Sequence, residues 1–163
     1  MKKTVIIVLA FVMFCFVGCS QTSGTLSGTL PEIVDNACSA ADFSSVSFIY
    51  MKDAYSEETL MYMYGIEDEA ILDSIVDFVL SERSGMYAAT FAVIQFKDGT
   101  EPTVIDTVQS LITETYVQSL INALMPYNPE QTAYAQNYEF KIFENSLVLV
   151  ICEDTAAVFD AIS

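Results

Sequence analysis

Alternation of period two runs from Tyr87 to Lys97. It places Phe91, Val93 and Gln95 on one face and Ala92, Ile94 and Phe96 on the other. Both faces are largely apolar, so the stretch predicts a central strand with one face against helices. Asp98-Gly99 ends it, because glycine accepts positive φ and Asp bonds readily to nearby backbone. Thr100 or Glu101 can then cap a helix whose first turn tolerates Pro102. Val104, Ile105, Val108, Leu111, Ile112, Tyr116, Leu120, Ile121 and Leu124 follow at helical spacing, the stripe of a helix that faces a core. Met125-Pro126 stops it.

Upstream, Leu30 to Cys38 reads as a short helix with Pro31 near its start and an acidic first turn. Ser47 to Met51 suits an edge strand or an extended segment. Ser56 is expected to cap a second helix that Gly65 ends. The run Leu60-Met61-Tyr62-Met63-Tyr64 could form an aromatic ligand platform, but Met and Tyr fill core gaps readily and packing is the preferred reading. Glu67-Asp68-Glu69 lacks the spacing and central glycine of a calcium loop and is read as a solvated turn. The run from Ile71 to Glu82 is ambiguous. Ile71, Leu72, Ile75, Val76 and Val79 fit a helix, whereas Leu72, Ser74, Val76, Phe78 and Leu80 fit a strand face. Ser84-Gly85 before the next strand favours a β-hairpin, so the strand is taken.

Downstream, Pro126 to Glu130 is a turn into a short helix reaching about Gln136. Tyr138 to Phe143 and Ser146 to Cys152 flank Glu144-Asn145 as a second hairpin. Asp154 caps a closing helix with Ala157, Val158, Phe159 and Ile162. Hairpins in place of regular crossover units predict an α+β fold: an antiparallel sheet of about four strands with helices on one face.

Composition changes the picture at two points. Apolar residues make up 53% of the 163-residue chain, so a packed core is easily built and one domain is expected. Acidic residues number 22 against six basic, a net charge of −16 that repels phosphate backbones and excludes nucleic acid as a partner.

The N-terminus carries the strongest functional signal. Lys2-Lys3 precede an uncharged apolar run of 13 residues, Val5 to Val17, too short for a spanning helix and suited to a signal peptide. It ends in Phe16-Val17-Gly18-Cys19-Ser20, which resembles the lipobox of bacterial lipoproteins, with Phe16 where Leu is usual. The resemblance implies cleavage before Cys19 and acylation of its thiol, and two acyl chains hold a protein stably on a bilayer. Cleavage also removes Lys2 and Lys3, leaving 22 acidic against four basic residues, or −18. Residues 1–18 are therefore expected to be a lipoprotein signal peptide and residues 19–29 the lipidated cysteine and a flexible Thr/Ser/Gly linker. Residues 30–163 are expected to form a single domain.

Tyr64-Gly65-Ile66, Phe96-Lys97-Asp98-Gly99, Tyr127-Asn128-Pro129-Glu130 and the terminal hairpin leading to Asp154 together resemble an uncharacterised lipoprotein family of Gram-positive bacteria, catalogued as a domain of unknown function. The likeness implies a small extracytoplasmic α+β domain behind a lipobox and transfers no catalytic residue.

The chain contains no His, so a His-based triad and a His metal site are not available to it. Cys15 leaves with the signal, while Cys38 and Cys152 form either one disulfide or two buried thiols. Glu153-Asp154, and Asp73 with Asp77, are read as caps and solvated faces. No Gly-rich phosphate loop, cofactor or metal site is expected. The sequence thus predicts a non-catalytic binding or interaction module, lipid-anchored at Cys19 on the extracytoplasmic face of the membrane, with an unspecified protein or small-molecule partner. The alternatives are an accessory subunit of an envelope complex, a carboxylate-based hydrolase and a Ca²⁺-dependent module.

Overall fold

The computed structural model describes residues 24–83 and 85–163. The expected signal peptide (1–18) and Cys19 lie outside the described residues, as does Ser84 of the expected hairpin turn.

Five strands form one antiparallel sheet: β1 (Val46–Tyr50), β2 (Ile75–Arg83), β3 (Thr90–Phe96), β4 (Glu139–Phe143) and β5 (Ser146–Ile151), in the order β1-β2-β3-β5-β4. The period-two stretch is the central strand, paired to β2 with Phe78 opposite Ile94 and to β5 with Phe91 opposite Val150. Its two faces divide as the alternation requires. Ala92, Ile94 and Phe96 enter one core, Phe91 and Val93 the other.

The α+β class and the antiparallel sheet stand, with two differences from expectation. Ser47 to Met51 resolves into a true edge strand, making five strands in place of about four. Helices also cover both faces in place of one. On the first face lies a long helix, α4 (Pro102–Ile112), continued by a π-helical turn (Thr113–Val117) and α5 (Gln118–Leu124), with α6 (Pro129–Gln136) beside it. Ile105, Val108, Ile112 and Leu120 pack there against Leu80, Ile94 and Leu149. On the second face α1 (Leu30–Ala40) and α7 (Thr155–Ile162) bring Ile33, Val34, Ala37, Val158, Phe159 and Ile162 onto Val79, Val93, Val148 and Val150. A strand that is apolar on both sides needs cover on both sides.

The Ile71–Glu82 ambiguity has a mixed answer. A single helical turn, α3 (Glu69–Leu72), is capped by Asp68, whose Oδ1 accepts from the backbone N–H of Ala70 at 2.8 Å, and β2 begins three residues later. Asp68, expected in a solvated turn with Glu67 and Glu69, is thus a helix cap. The second helix, α2 (Ser56–Glu58), passes into a π-helical turn (Thr59–Met63) and stops at Gly65, φ +77°. Ser56 does not cap it but sits inside it, donating from its hydroxyl to Met51 O at 2.7 Å. Leu60 and Tyr64 are buried, while Tyr62 is exposed, so core packing holds for most of that aromatic run.

The N-terminal approach is fixed to the body earlier than the linker reading implies. Leu26 packs against the second core, and Ser27 N–H donates to Ile162 O at 3.1 Å. Glu32 accepts from both the backbone N–H of Thr29 (2.8 Å) and its hydroxyl (2.9 Å), which holds its carboxyl below the usual range and locks the start of α1.

Candidate functional site

The antiparallel registers give the sheet two distinct ends. Thr90 pairs with Ile151 at one end, and Ile75 pairs with Phe96 at the other. At the Thr90–Ile151 end, a groove of about 920 Å³ opens between the end of α1, the lead-in to β3, α6 and the β5–α7 turn. Its walls carry Asp42, Tyr87, Glu130, Gln131, Tyr134, Cys152, Glu153 and Asp154.

Local chemistry fixes each wall. Asn128 caps α6, its Oδ1 accepting from Gln131 N–H at 3.3 Å, while its Nδ2 donates to Met86 O at 3.3 Å. Gln131 Oε1 accepts from the backbone N–H of Ala88 at 2.8 Å. These two side chains latch α6 to the segment before β3 and set Tyr87 at the groove. Asp154 caps α7 by accepting from Ala157 N–H at 3.0 Å. Asp42 accepts from Ser44 N–H at 2.9 Å, and its hydrogen bonds to Ser44 hold its carboxyl below the ordinary Asp range. Tyr134 donates to Glu130 Oε1 at 3.2 Å. Desolvation, that hydrogen bond and the charge of Glu153 together push its phenol up.

Chemically the groove is an anionic, hydroxyl-bearing surface. Burial is the largest influence on Cys152 and raises its thiol, with the carboxylates of Asp154 and Glu153 adding to the rise, so it remains protonated at neutral pH. Among the described residues no group of three or more Cys, Asp and Glu side chains is arranged to hold a metal ion.

Of the residues singled out in the sequence, Cys19 lies outside the described residues. Cys38 and Cys152 are free thiols, the first exposed on α1 and the second buried at the groove wall, so neither the disulfide nor a pair of buried thiols is formed. Burial and the charge of Asp35 raise the Cys38 thiol as well. Glu153 and Asp154 share the groove lining with Asp42 and Glu130, which come from chain segments distant in sequence. Tyr87, Gln131 and Tyr134 escaped sequence reasoning. The only local trace of the first was its position before an apolar strand.

At the opposite end a shallower depression of about 390 Å³ lies among Thr29, Leu30, Pro31, Tyr50, Met51, Lys52, Val76 and Asp77. It adjoins the point where the N-terminal segment meets the body. Among the described residues no helix is long and apolar enough to cross a membrane.

A family model described as "Domain of unknown function (DUF4358)" matches residues 44–152, a span that begins before β1 and ends at the groove residue Cys152. No curated protein and no solved structure matches the chain.

Proposed function

The chain belongs to the DUF4358 family, and on that footing we propose that it is a non-catalytic binding module, held on the extracytoplasmic face of the membrane by lipid at Cys19. The reading extends to a lipoprotein of a Gram-positive cell surface, as the lipobox-like Val17-Gly18-Cys19 suggests.

The observation that carries it is the placement of the groove. The N-terminal segment joins the body at Leu26 to Thr29, beside the C-terminus of α7 and at the start of α1. The groove lies past the other end of α1, at Ala40 to Asp42. The 11 residues of α1 separate the two by about 16 Å. A tether entering at one end of the sheet therefore leaves the opposite end free to meet a partner. The seven steps of chain from Cys19 to Leu26 reach at most about 25 Å, enough to stand the body on the headgroups without lifting it far. The groove acids hold structural hydrogen bonds at Asp42, Asp154 and Glu130, which supports recognition over acid–base chemistry.

The test is fractionation of cells expressing the wild-type chain and Cys19→Ala. The wild-type protein is expected in the membrane fraction and accessible to protease added to intact cells. The variant is expected to leave that fraction.

A further inference from the structure

Resting on the lipid anchor proposed at Cys19, we infer that the depression at the Ile75–Phe96 end of the sheet is a bilayer-docking face, seated on neutral lipid headgroups. Three observations meet there. The first is apolar exposure within the lining itself: Met51 and Val76 are 44% and 47% exposed, beside the half-buried Tyr50. The second is charge. This lining holds one base and one acid, Lys52 and Asp77, and Asp77 Oδ1 already accepts from Phe78 N–H at 2.9 Å. The groove lining at the other end holds Asp42, Glu130, Glu153 and Asp154 with no Lys or Arg. The third is the tether, which enters at Leu26 to Thr29, while Thr29, Leu30 and Pro31 form one wall of the depression.

The tether selects the occupant. Seven steps of chain from Cys19 to Leu26 reach at most about 25 Å, which confines this end to the bilayer surface at an effective concentration on the order of millimolar. A contact too weak to recruit a free protein then suffices to orient a tethered one. The side chains suit an interface. Lys52 Nζ lies 5.9 Å from the centroid of the Tyr50 ring, and both residues combine an apolar body with a polar tip that reaches water. Asp53, Glu57 and Glu58 follow Lys52 along the chain, so the headgroups it meets are neutral ones, anionic lipid being repelled.

The experiment is methionine oxidation by chloramine-T, read residue by residue by mass spectrometry. Wild-type chain from the membrane fraction is placed on phosphatidylcholine vesicles, with Cys19→Ala free in solution as reference. Met51 and Met86 are matched probes at 44% and 41% exposed, the first in the depression and the second next to the groove residue Tyr87. They are expected to oxidise at similar rates in solution. On vesicles Met51 is expected to fall about threefold behind Met86. Lys52→Glu combined with Val76→Asp is expected to stay on the vesicles and to bring the two rates back together, and its melting curve establishes that it is folded. Equal rates in a wild-type chain that floats with the vesicles would overturn the docking face and leave the anchor. Slow oxidation of Met51 in soluble Cys19→Ala would also overturn it, because the face would then be covered by the chain itself or by a second copy. A wild-type chain that does not float would overturn anchor and face together.

Discussion

The rings of Tyr64 and Tyr116 lie stacked, with centroids 4.5 Å apart and planes within 8° of parallel. Each sits at a π-helical turn: Tyr64 directly after Thr59–Met63, Tyr116 within Thr113–Val117. The extra residue in a π turn shifts the phase of the helix, and Tyr116 and Val117 are both buried there. The hydroxyls continue the join. Tyr64 donates to Ser81 O on β2 at 3.1 Å, and Tyr116 is 2.9 Å from Thr90 Oγ1 on β3. Two irregular helices are thereby fastened to two neighbouring strands.

Removing one hydroxyl tests that fastening. Tyr116→Phe keeps the ring stack but removes the hydroxyl 2.9 Å from Thr90 Oγ1, which retains its bond to Ala88 O at 3.1 Å, and should cost about 1 kcal/mol in urea unfolding. Tyr64→Ala also removes a fully buried ring and should cost about 3–5 kcal/mol.

The same pair sets an alkaline limit. Burial first, and the neighbouring Tyr116 second, hold the Tyr64 phenol well above its ordinary value of 10.0. The unfolded chain therefore loses this proton at a lower pH than the folded one. The contribution is complete below the ordinary Tyr range and is lost as pH rises through the folded value. The urea midpoint of the wild-type chain should fall more steeply than that of Tyr64→Phe between about pH 9 and about pH 11.

Gly65 admits no side chain. Its φ is +77°, and a Cβ built there would fall inside the contact distance of Thr115 Oγ1 and Cβ. Gly65→Ala combines a left-handed penalty with a clash between the two π-helical segments and should cost about 2–4 kcal/mol. Equilibrium unfolding of the purified variant checks it. A loss under about 1 kcal/mol would show that the segments yield easily.

The free edge of β1 is blunted by its own neighbours. Met51 N–H bonds inward to Phe78 O at 3.1 Å, so the preceding Tyr50 N–H points outward, where Asp53 Oδ2 accepts it at 2.8 Å. At the other end Val46 N–H bonds to Phe43 O at 3.0 Å. Asp53→Ala should reopen an uncharged edge and increase concentration-dependent association in analytical ultracentrifugation, with less than about 1 kcal/mol lost in stability.

Features set by near neighbours were legible in the sequence. The alternation at Phe91 to Phe96 named a central strand and divided its two faces correctly. Pro102, Asp154 and Gly65 marked boundaries because each acts through its own backbone or the next turn. What depends on distant contacts was hidden. Pro31 and the acidic first turn announced a helix, but not that its Ile33, Val34 and Ala37 would join α7 on the second face of the sheet. Ile71 and Leu72 belong to α3 and Ile75 to β2, so two periods met within one short run and neither template fitted it. The groove was illegible for the same reason: Asp42, Tyr87, Glu130 and Glu153 come from four separate stretches, each ordinary alone.

The tether is tested most directly by metabolic labelling of cells with an alkyne palmitate, followed by capture of this chain. Label is expected on the wild-type protein in the membrane fraction and is expected to vanish in Cys19→Ala. A wild-type chain that stays unlabelled and fractionates with the cytosol would contradict a lipid-held module outside the cell.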